Sequence, residues 1–190
     1  MKKHFFIVSL LICAFATKGI SAEMPDSGEL QARAAQGDMR DQFSYALYLV
    51  ENDPAGFDKA MPWFIRADAS GDAVCEYVVA QLLIVNDEGV LPALPWLKKS
   101  AAHGFFPAMN HLGELYSKKY SGIETNYVEA ERWFRIASDG GYAPADYNLG
   151  KMYLEGLGVP KDIDKAILLL QRSGSKGVSL LRMKGLIKLY

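Results

Sequence analysis

Leu149-Gly150-Lys151-Met152-Tyr153-Leu154-Glu155-Gly156-Leu157-Gly158-Val159-Pro160-Lys161-Asp162-Ile163-Asp164-Lys165-Ala166 is the stretch that decides the fold. It reads as the end of one helix, a loop broken by Gly156, Gly158 and Pro160, and the start of a second helix. Asp162 and Asp164 stand where capping residues belong. Gly150 and Tyr153 form a small-then-large pair three residues apart, on one helical face. Ala166 and Leu169 repeat that pair on the second helix.

The same pairs recur along the chain. Trp63, Trp96 and Trp133 each follow an alanine by three residues (Ala60, Ala93, Ala130) and precede a glycine by eight (Gly71, Gly104, Gly141). The fourth unit has Ala166, Leu169 and Gly177, and Gly37 opens the first. Nine residues after each opening glycine stand Ala46, Ala80, Gly113 and Gly150, all small. Twelve after it stand Leu49, Leu83, Tyr116 and Tyr153, and four after it Asp41, Cys75, Ala108 and Ala145. Successive glycines are 34, 33, 37 and 36 residues apart. All the variation lies between the small residue and the next Ala-x-x-Trp, as two helices joined by a variable loop require. A small residue lets a second helix approach, and a large one fills the adjacent groove.

The spacing predicts helices over 38–51, 57–69, 72–86, 91–102, 105–119, 126–138, 142–155 and 162–175. Each second helix is expected to end at its glycine, where a left-handed residue costs least. A short helix near 27–36 and a final one near 178–189 would cover the apolar ends of the stack. The chain thus divides into residues 1–22, an N-terminal capping segment 23–36, the repeats 37–177 and a C-terminal capping segment 178–190.

Leu149-Gly150, Tyr153, Gly156-Leu157-Gly158-Val159, Asp162 and Lys165-Ala166 resemble the Sel1-like repeat signature. The third unit resembles it through Leu112-Gly113, Tyr116, Glu129-Ala130, Trp133-Phe134 and Ala137. The first two units depart from it, with Tyr45-Ala46 and Val79-Ala80 for Leu-Gly and no Gly-x-Gly-Val. The resemblance implies an all-α, right-handed α-solenoid of about four helix-turn-helix repeats. It also implies an adaptor that holds a protein partner in a concave groove, and it brings no shared chemistry.

Composition agrees with a folded, exported protein. Half the residues are apolar, 12% are aromatic and 23% charged. Lys2 and Lys3 precede a largely apolar run from Phe5 to Ala16, too short to span a bilayer. Ile20-Ser21-Ala22 then offers a cleavage site before Glu23, so residues 1–22 read as a signal peptide, with an uncleaved anchor as the alternative. Cys13 lies inside the apolar run after Ile12, which does not suit a lipoprotein cut. Removing Lys2, Lys3 and Lys18 leaves 18 basic residues against 22 acidic ones, a net charge of −4. That balance favours neither nucleic acid nor stable membrane insertion after cleavage. The periplasm is the expected address, with secretion beyond it the lesser option. Only Cys75 remains, at a small position of the repeat, so it reads as a core thiol with no disulfide partner.

Residues for catalysis are scarce. His103 and His111 fall on different elements with no Cys or carboxylate at a metal spacing, so no metal is expected. Ser173-Gly174-Ser175-Lys176 matches the Ser-x-x-Lys of penicillin-recognising enzymes, but the companion Ser-Asp-Asn and Lys-Thr-Gly motifs are absent from the sequence. Gly140-Gly141 follows no strand and is not a phosphate loop. No cofactor is expected, and a β-lactam-binding or hydrolysing serine enzyme stands as a remote alternative.

Binding is therefore the expected function. Positions three, six, ten and thirteen from the opening glycine make a stripe beside the packed one. From it the partner-binding face is expected to use Arg40, Phe43, Leu47, Tyr77, Gln81, Asn110, Glu114, Tyr147 and Lys151. Val50, Val74, Ile84, Pro107, Ser117, Pro144 and Leu154 complete the stripe. Packing of Phe43, Leu47 and Val74 against the N-terminal helix is the competing reading. A monomer is expected, with a protein partner that is either an envelope component or a toxin. The second case would make the chain an immunity protein.

Overall fold

The computed structural model describes residues 26–53, 56–85, 89–120 and 122–187. The segment read as a signal peptide lies outside the described residues. Among them the chain is all-α: ten α-helices, one short 3-10 turn (Asp68–Ser70) and a single isolated bridge between Tyr120 and Ile123. The helices are α1 (Ser27–Ala35), α2 (Met39–Asn52), α3 (Gly56–Ala67), α4 (Ala73–Val85), α5 (Val90–Ala102), α6 (Phe106–Ser117), α7 (Tyr127–Asp139), α8 (Ala143–Glu155), α9 (Ile163–Arg172) and α10 (Ser175–Met183). They form two compact units, residues 1–96 and 97–190, with the division falling inside α5.

In the first unit, α1 packs on α2 and α2 on α3. Asp38 caps α2 by accepting from the backbone N–H of Arg40 and Asp41 at 2.9 and 3.1 Å. The Arg33 guanidinium clamps Asp41 through two hydrogen bonds of 3.0 and 2.8 Å, tying α1 to α2. The core between the helices is aromatic: Tyr45 meets Trp63 edge-on at 5.1 Å, and Phe43 meets Phe64 at 5.4 Å. Helix α4 is apolar nearly all round and buries Cys75, Val78, Val79, Ala80, Leu82 and Leu83.

The second unit stacks its helices in chain order, α6 on α7, α7 on α8, α8 on α9 and α9 on α10, with α6 also touching α8. Asn126 and Asp162 cap α7 and α9 by accepting from Glu129 and Lys165 backbone N–H at 3.1 and 3.0 Å. The backbone N–H of Lys165 holds the Asp162 carboxyl below its ordinary range. A Cβ on Gly113 would lie 2.6 Å from the Phe134 ring, and one on Gly150 would lie 2.8 Å from Leu170 Cγ. These two glycines are the close helix contacts that the repeat predicts.

Two predicted details are corrected. First, the residue after each tryptophan, not the tryptophan itself, fills the core. Phe64, Leu97, Phe134 and Leu170 are at most 2% exposed, whereas Trp63, Trp96 and Trp133 are half-buried. Burying one such side chain contributes about 1.5–3 kcal/mol. Arg66 and Arg132 lie over the rings of Trp63 and Trp133.

Second, the fourth unit closes at Gly174 rather than Gly177. The glycines that open the four units, at 37, 71, 104 and 141, all have positive φ, and so does Gly174 at 84°. Gly177 sits inside α10, pressed on the end of α9, where a Cβ would fall 1.6 Å from the Leu170 carbonyl oxygen. Helix α9 therefore stops at Arg172, and the last helix starts at Ser175 and ends at Met183.

Pro62 and Pro95 lie inside α3 and α5, where each forgoes one backbone hydrogen bond. Pro107 and Pro144 occupy the first turns of α6 and α8, where the missing N–H costs nothing.

Candidate functional site

A groove of about 800 Å³ opens on the second unit. Glu114 of α6 and Pro144, Tyr147 and Asn148 of α8 line one part of it. Ser175, Lys176, Ser179, Leu180 and Met183 of α10, with Ser173 at the end of α9, line the other. The part formed by α6 and α8 rests on a fixed polar network. The Asn148 amide donates to Asn110 Oδ1 at 3.0 Å and to Glu114 Oε1 at 3.3 Å, and Asn110 donates to Glu114 Oε1 at 2.9 Å. Turning the Asn148 amide over would put its oxygen against two acceptors, so its orientation is set by its neighbours. Its own Oδ1 is left as an acceptor. Lys118 reaches Glu114 Oε2 at 3.4 Å, a long and exposed pair. Burial, with the Glu114 charge second, pushes the Tyr142 hydroxyl above its ordinary range. Burial pulls His111 below its own, against the opposing pull of Glu114.

A second polar link in this unit joins three helices. Asp146 of α8 is 2% exposed. It accepts from Ser138 Oγ of α7, from Arg172 Nε of α9 at 2.8 Å, and from a terminal nitrogen of the same guanidinium. That nitrogen also donates to the Ser138 carbonyl and hydroxyl, at 3.1 and 2.7 Å. The bond to Asp146 raises the Arg172 pKa. Such a fork fixes both distance and orientation between the helices that carry it.

The structure separates the predicted binding residues. Phe43 and Leu47 are corrected: both are buried in α2, and Phe43 packs on Phe64 of α3. The physical reason is angular. A residue three before the packed small position lies only about 60° around the helix from it, so it flanks the core instead of facing away. Asn110, three before Gly113, is buried for the same reason and acts through Asn148 and Glu114. Leu154 belongs to the core of the second unit. Arg40 is exposed on α2, and Val74 is half-buried. On α4, Tyr77 and Gln81 are half-buried and hydrogen-bonded to each other, Gln81 donating to the tyrosine oxygen. Tyr147 lines the groove while packing on the core, and the Lys151 ammonium lies 5.8 Å from its ring centre.

Sequence reasoning missed Asn148 and the α10 residues. Asn148 stands seven after Gly141, as His111 stands seven after Gly104, on the flank of the stripe. The final helix, expected near 178–189, begins at Ser175, so the sequence reading puts Ser175 in the preceding helix and Lys176 in the turn.

The residues that bear on chemistry are placed apart. Ser173 lies beyond the last residue of α9 and donates its hydroxyl to the Leu170 carbonyl at 2.8 Å, while Lys176 is in the first turn of α10. They do not share a helix, as a Ser-x-x-Lys nucleophile and base do. The Cys75 thiol is buried, and burial raises its pKa, which keeps it protonated and unreactive. Among the described residues, no group of three or more His, Cys, Asp and Glu is arranged to hold a metal ion. No helix there is long and apolar enough to cross a membrane.

Comparison with known proteins gives a consistent result. Residues 107–142 and 143–178 match the family model of the Sel1 repeat. The ERAD-associated E3 ubiquitin-protein ligase component HRD3B of Arabidopsis thaliana is 38% identical over 74 residues, covering 39% of this chain and 11% of that one. The crystal structure of c5321, a protective antigen present in uropathogenic Escherichia coli strains and displaying an SLR fold, superposes with a TM-score of 0.72 at 24% identity. That superposition covers 85% of this chain and 37% of c5321. A Sel1 repeat protein from Oxalobacter formigenes superposes with a TM-score of 0.67 at 28% identity, over 85% of this chain and 48% of that one. The chain thus spans about a tenth of the curated relative and less than half of each of these solved structures.

Proposed function

Because this chain is a Sel1-like repeat protein, we propose that it is a non-enzymatic module that binds a protein partner in the groove of its second unit. Proteins built from these repeats act as protein–protein interaction modules, and the fold is typically a non-catalytic scaffold. The observation that carries the reading is the groove itself: Tyr147 and Met183 offer apolar contact beside the oriented amide of Asn148 and the hydroxyls of Ser175 and Ser179. Aromatic area with a few directed polar groups is what a protein-binding site needs. The reading extends to the periplasm as the place of action, on the strength of the basic start and apolar run of residues 1–22.

Affinity capture from periplasmic extract, with the full chain and a Tyr147→Ala, Met183→Ala variant side by side, tests the proposal. A partner held by the first and lost by the second supports it. Equal recovery by both places binding elsewhere. Turnover of nitrocefin by the purified protein, abolished in Ser173→Ala, would overturn the non-enzymatic part.

A further inference from the structure

Within the binding reading above, on which this inference rests, the groove of the second unit has a direction. We propose that it takes an extended peptide segment of opposite charges, with a Lys or Arg side chain on Glu114 and an Asp or Glu side chain on Lys176.

The argument begins with the order of helices. In this unit α8 packs through α7 and directly onto α6 on one side, and through α9 toward α10 on the other. Glu114 belongs to α6 and Lys176 to α10, and both line the same groove. A ligand touching both therefore crosses α8 at Tyr147 and Asn148. The α6 end is a set of acceptors. Asn110 and Asn148 both donate into Glu114 Oε1, which fixes the carboxylate in place, and Oε2 has only the long 3.4 Å approach of Lys118. The Lys118 side chain is 57% exposed, so a ligand cation can displace it at little cost. Asn148 Oδ1 adds an acceptor for a backbone N–H at the crossing point.

The α10 end has the opposite character. Lys176 is exposed there and lines the groove together with Ser175 and Ser179. The chain from Lys165 to Tyr190 contains six basic residues and no acid. No carboxylate of that stretch competes for Lys176. Charge of one sign at each end favours one orientation of a bound segment and disfavours its reverse.

The test selects random dodecamer peptides on the full chain by phage display and synthesises those recovered, amidated at the C-terminus. Each is measured by calorimetry against wild type, Glu114→Gln and Lys176→Glu. Glu114→Gln keeps the Oε1 acceptor that Asn110 and Asn148 need, so the groove stays intact, and melting temperature checks this. The expected result is that recovered peptides pair a basic residue with an acidic one. Glu114→Gln should weaken them about tenfold, the scale of one directed charge contact. It should have no effect on peptides whose basic residue is replaced by alanine. Lys176→Glu should weaken them likewise, with affinity returning when the peptide's acid is replaced by lysine. Peptides that depend on Tyr147 but ignore both charge changes would overturn the polarity and leave the groove reading standing. Recovery of no peptide whose binding depends on Tyr147 would overturn both.

Discussion

The two compact units build the same helix pairs with different chemistry. In the first, the small position of the repeat is alanine, Ala46 and Ala80, and the helices meet through aromatic edges such as Tyr45 on Trp63. In the second, the small position is glycine, Gly113 and Gly150, and the facing helix brings Phe134 and Leu170 into the space a Cβ would take. The first unit joins α1 to α2 by a clamp between Arg33 and Asp41, on a guanidinium 49% exposed. The second joins three helices through an Asp146 side chain only 3% exposed. The match to the Sel1 repeat model covers 107–178, all of it in the second unit. The burial pattern of the repeat thus survives where its signature residues do not.

The largest expected effect tests the glycine contacts. Gly113→Leu and Gly150→Leu each force a branched side chain into an occupied site, and each should cost about 3 kcal/mol or more, at the top of the range for overpacking. Thermal unfolding measures it. Unchanged melting in both variants would mean that the close pairing of α6 with α7 and of α8 with α9 is wrong.

Next comes the polar link. Asp146→Ala leaves the buried Ser138 hydroxyl hydrogen without its acceptor and Arg172 without its carboxylate, its bonds to Ser138 alone remaining, so a loss of about 2–3 kcal/mol is expected. Arg33→Ala, the equivalent cut in the first unit, should cost about 0.5 kcal/mol because that pair is largely solvated. Urea unfolding of the two variants should reproduce this order, and equal losses would erase the distinction drawn between the units.

How much of this is written in the sequence follows from what repeats. Alanine, glycine and tryptophan recur at fixed offsets, and fixed offsets on a helix fix a face, so the helix pairs and their close contacts are legible at Ala60, Gly113 and Gly150. Asp146 stands five after its opening glycine, an offset that also holds the buried Gln42 and Glu76, but the offset does not say that its partners are Ser138 and Arg172 on two other helices. Gly174 and Gly177 compete for one role three residues apart. Counting chose the one at the regular offset, while the backbone turns at the first glycine it meets and uses the second for packing. That displacement set the start of the final helix at 178 instead of Ser175, which left Ser175 and Lys176 of the groove off it. Phe43 and Leu47 were assigned outward because the stripe was drawn too close to the packed positions, as the burial of Asn110 in the second unit repeats.

Tyr147 gives the third test. Reading it as a free groove residue predicts that truncation costs no more than about 0.5 kcal/mol. Its packing on the core of the second unit raises the expectation for Tyr147→Ala to about 1–2 kcal/mol. Tyr77→Ala, on an equally half-buried residue of α4 whose hydroxyl accepts from Gln81, should cost about as much. Melting curves of the two single variants decide whether the equivalent tyrosines differ between units.

The smallest expected effect is the pH dependence that His111 contributes, and its sign follows from its surroundings. Burial lowers the pKa of this imidazole from its ordinary 6.5, with Lys118 adding to the shift and Glu114 opposing it. A histidine with a lowered folded pKa binds a proton more readily in the unfolded chain. The unfolded state therefore takes up more protons as the solution is acidified, and stability falls. The contribution is fully present above the unfolded value of 6.5, and it is lost progressively as pH falls from there toward the lower folded value. Comparing melting temperatures between pH about 7.5 and about 5.5 should show this decline, since the window brackets the unfolded titration. His111→Gln should flatten it, because glutamine keeps a polar side chain without a titrating group. A decline of equal slope in His111→Gln would assign the acid sensitivity to other groups. A melting temperature that rises on acidification in the wild type alone would mean that the Glu114 charge outweighs burial at this site.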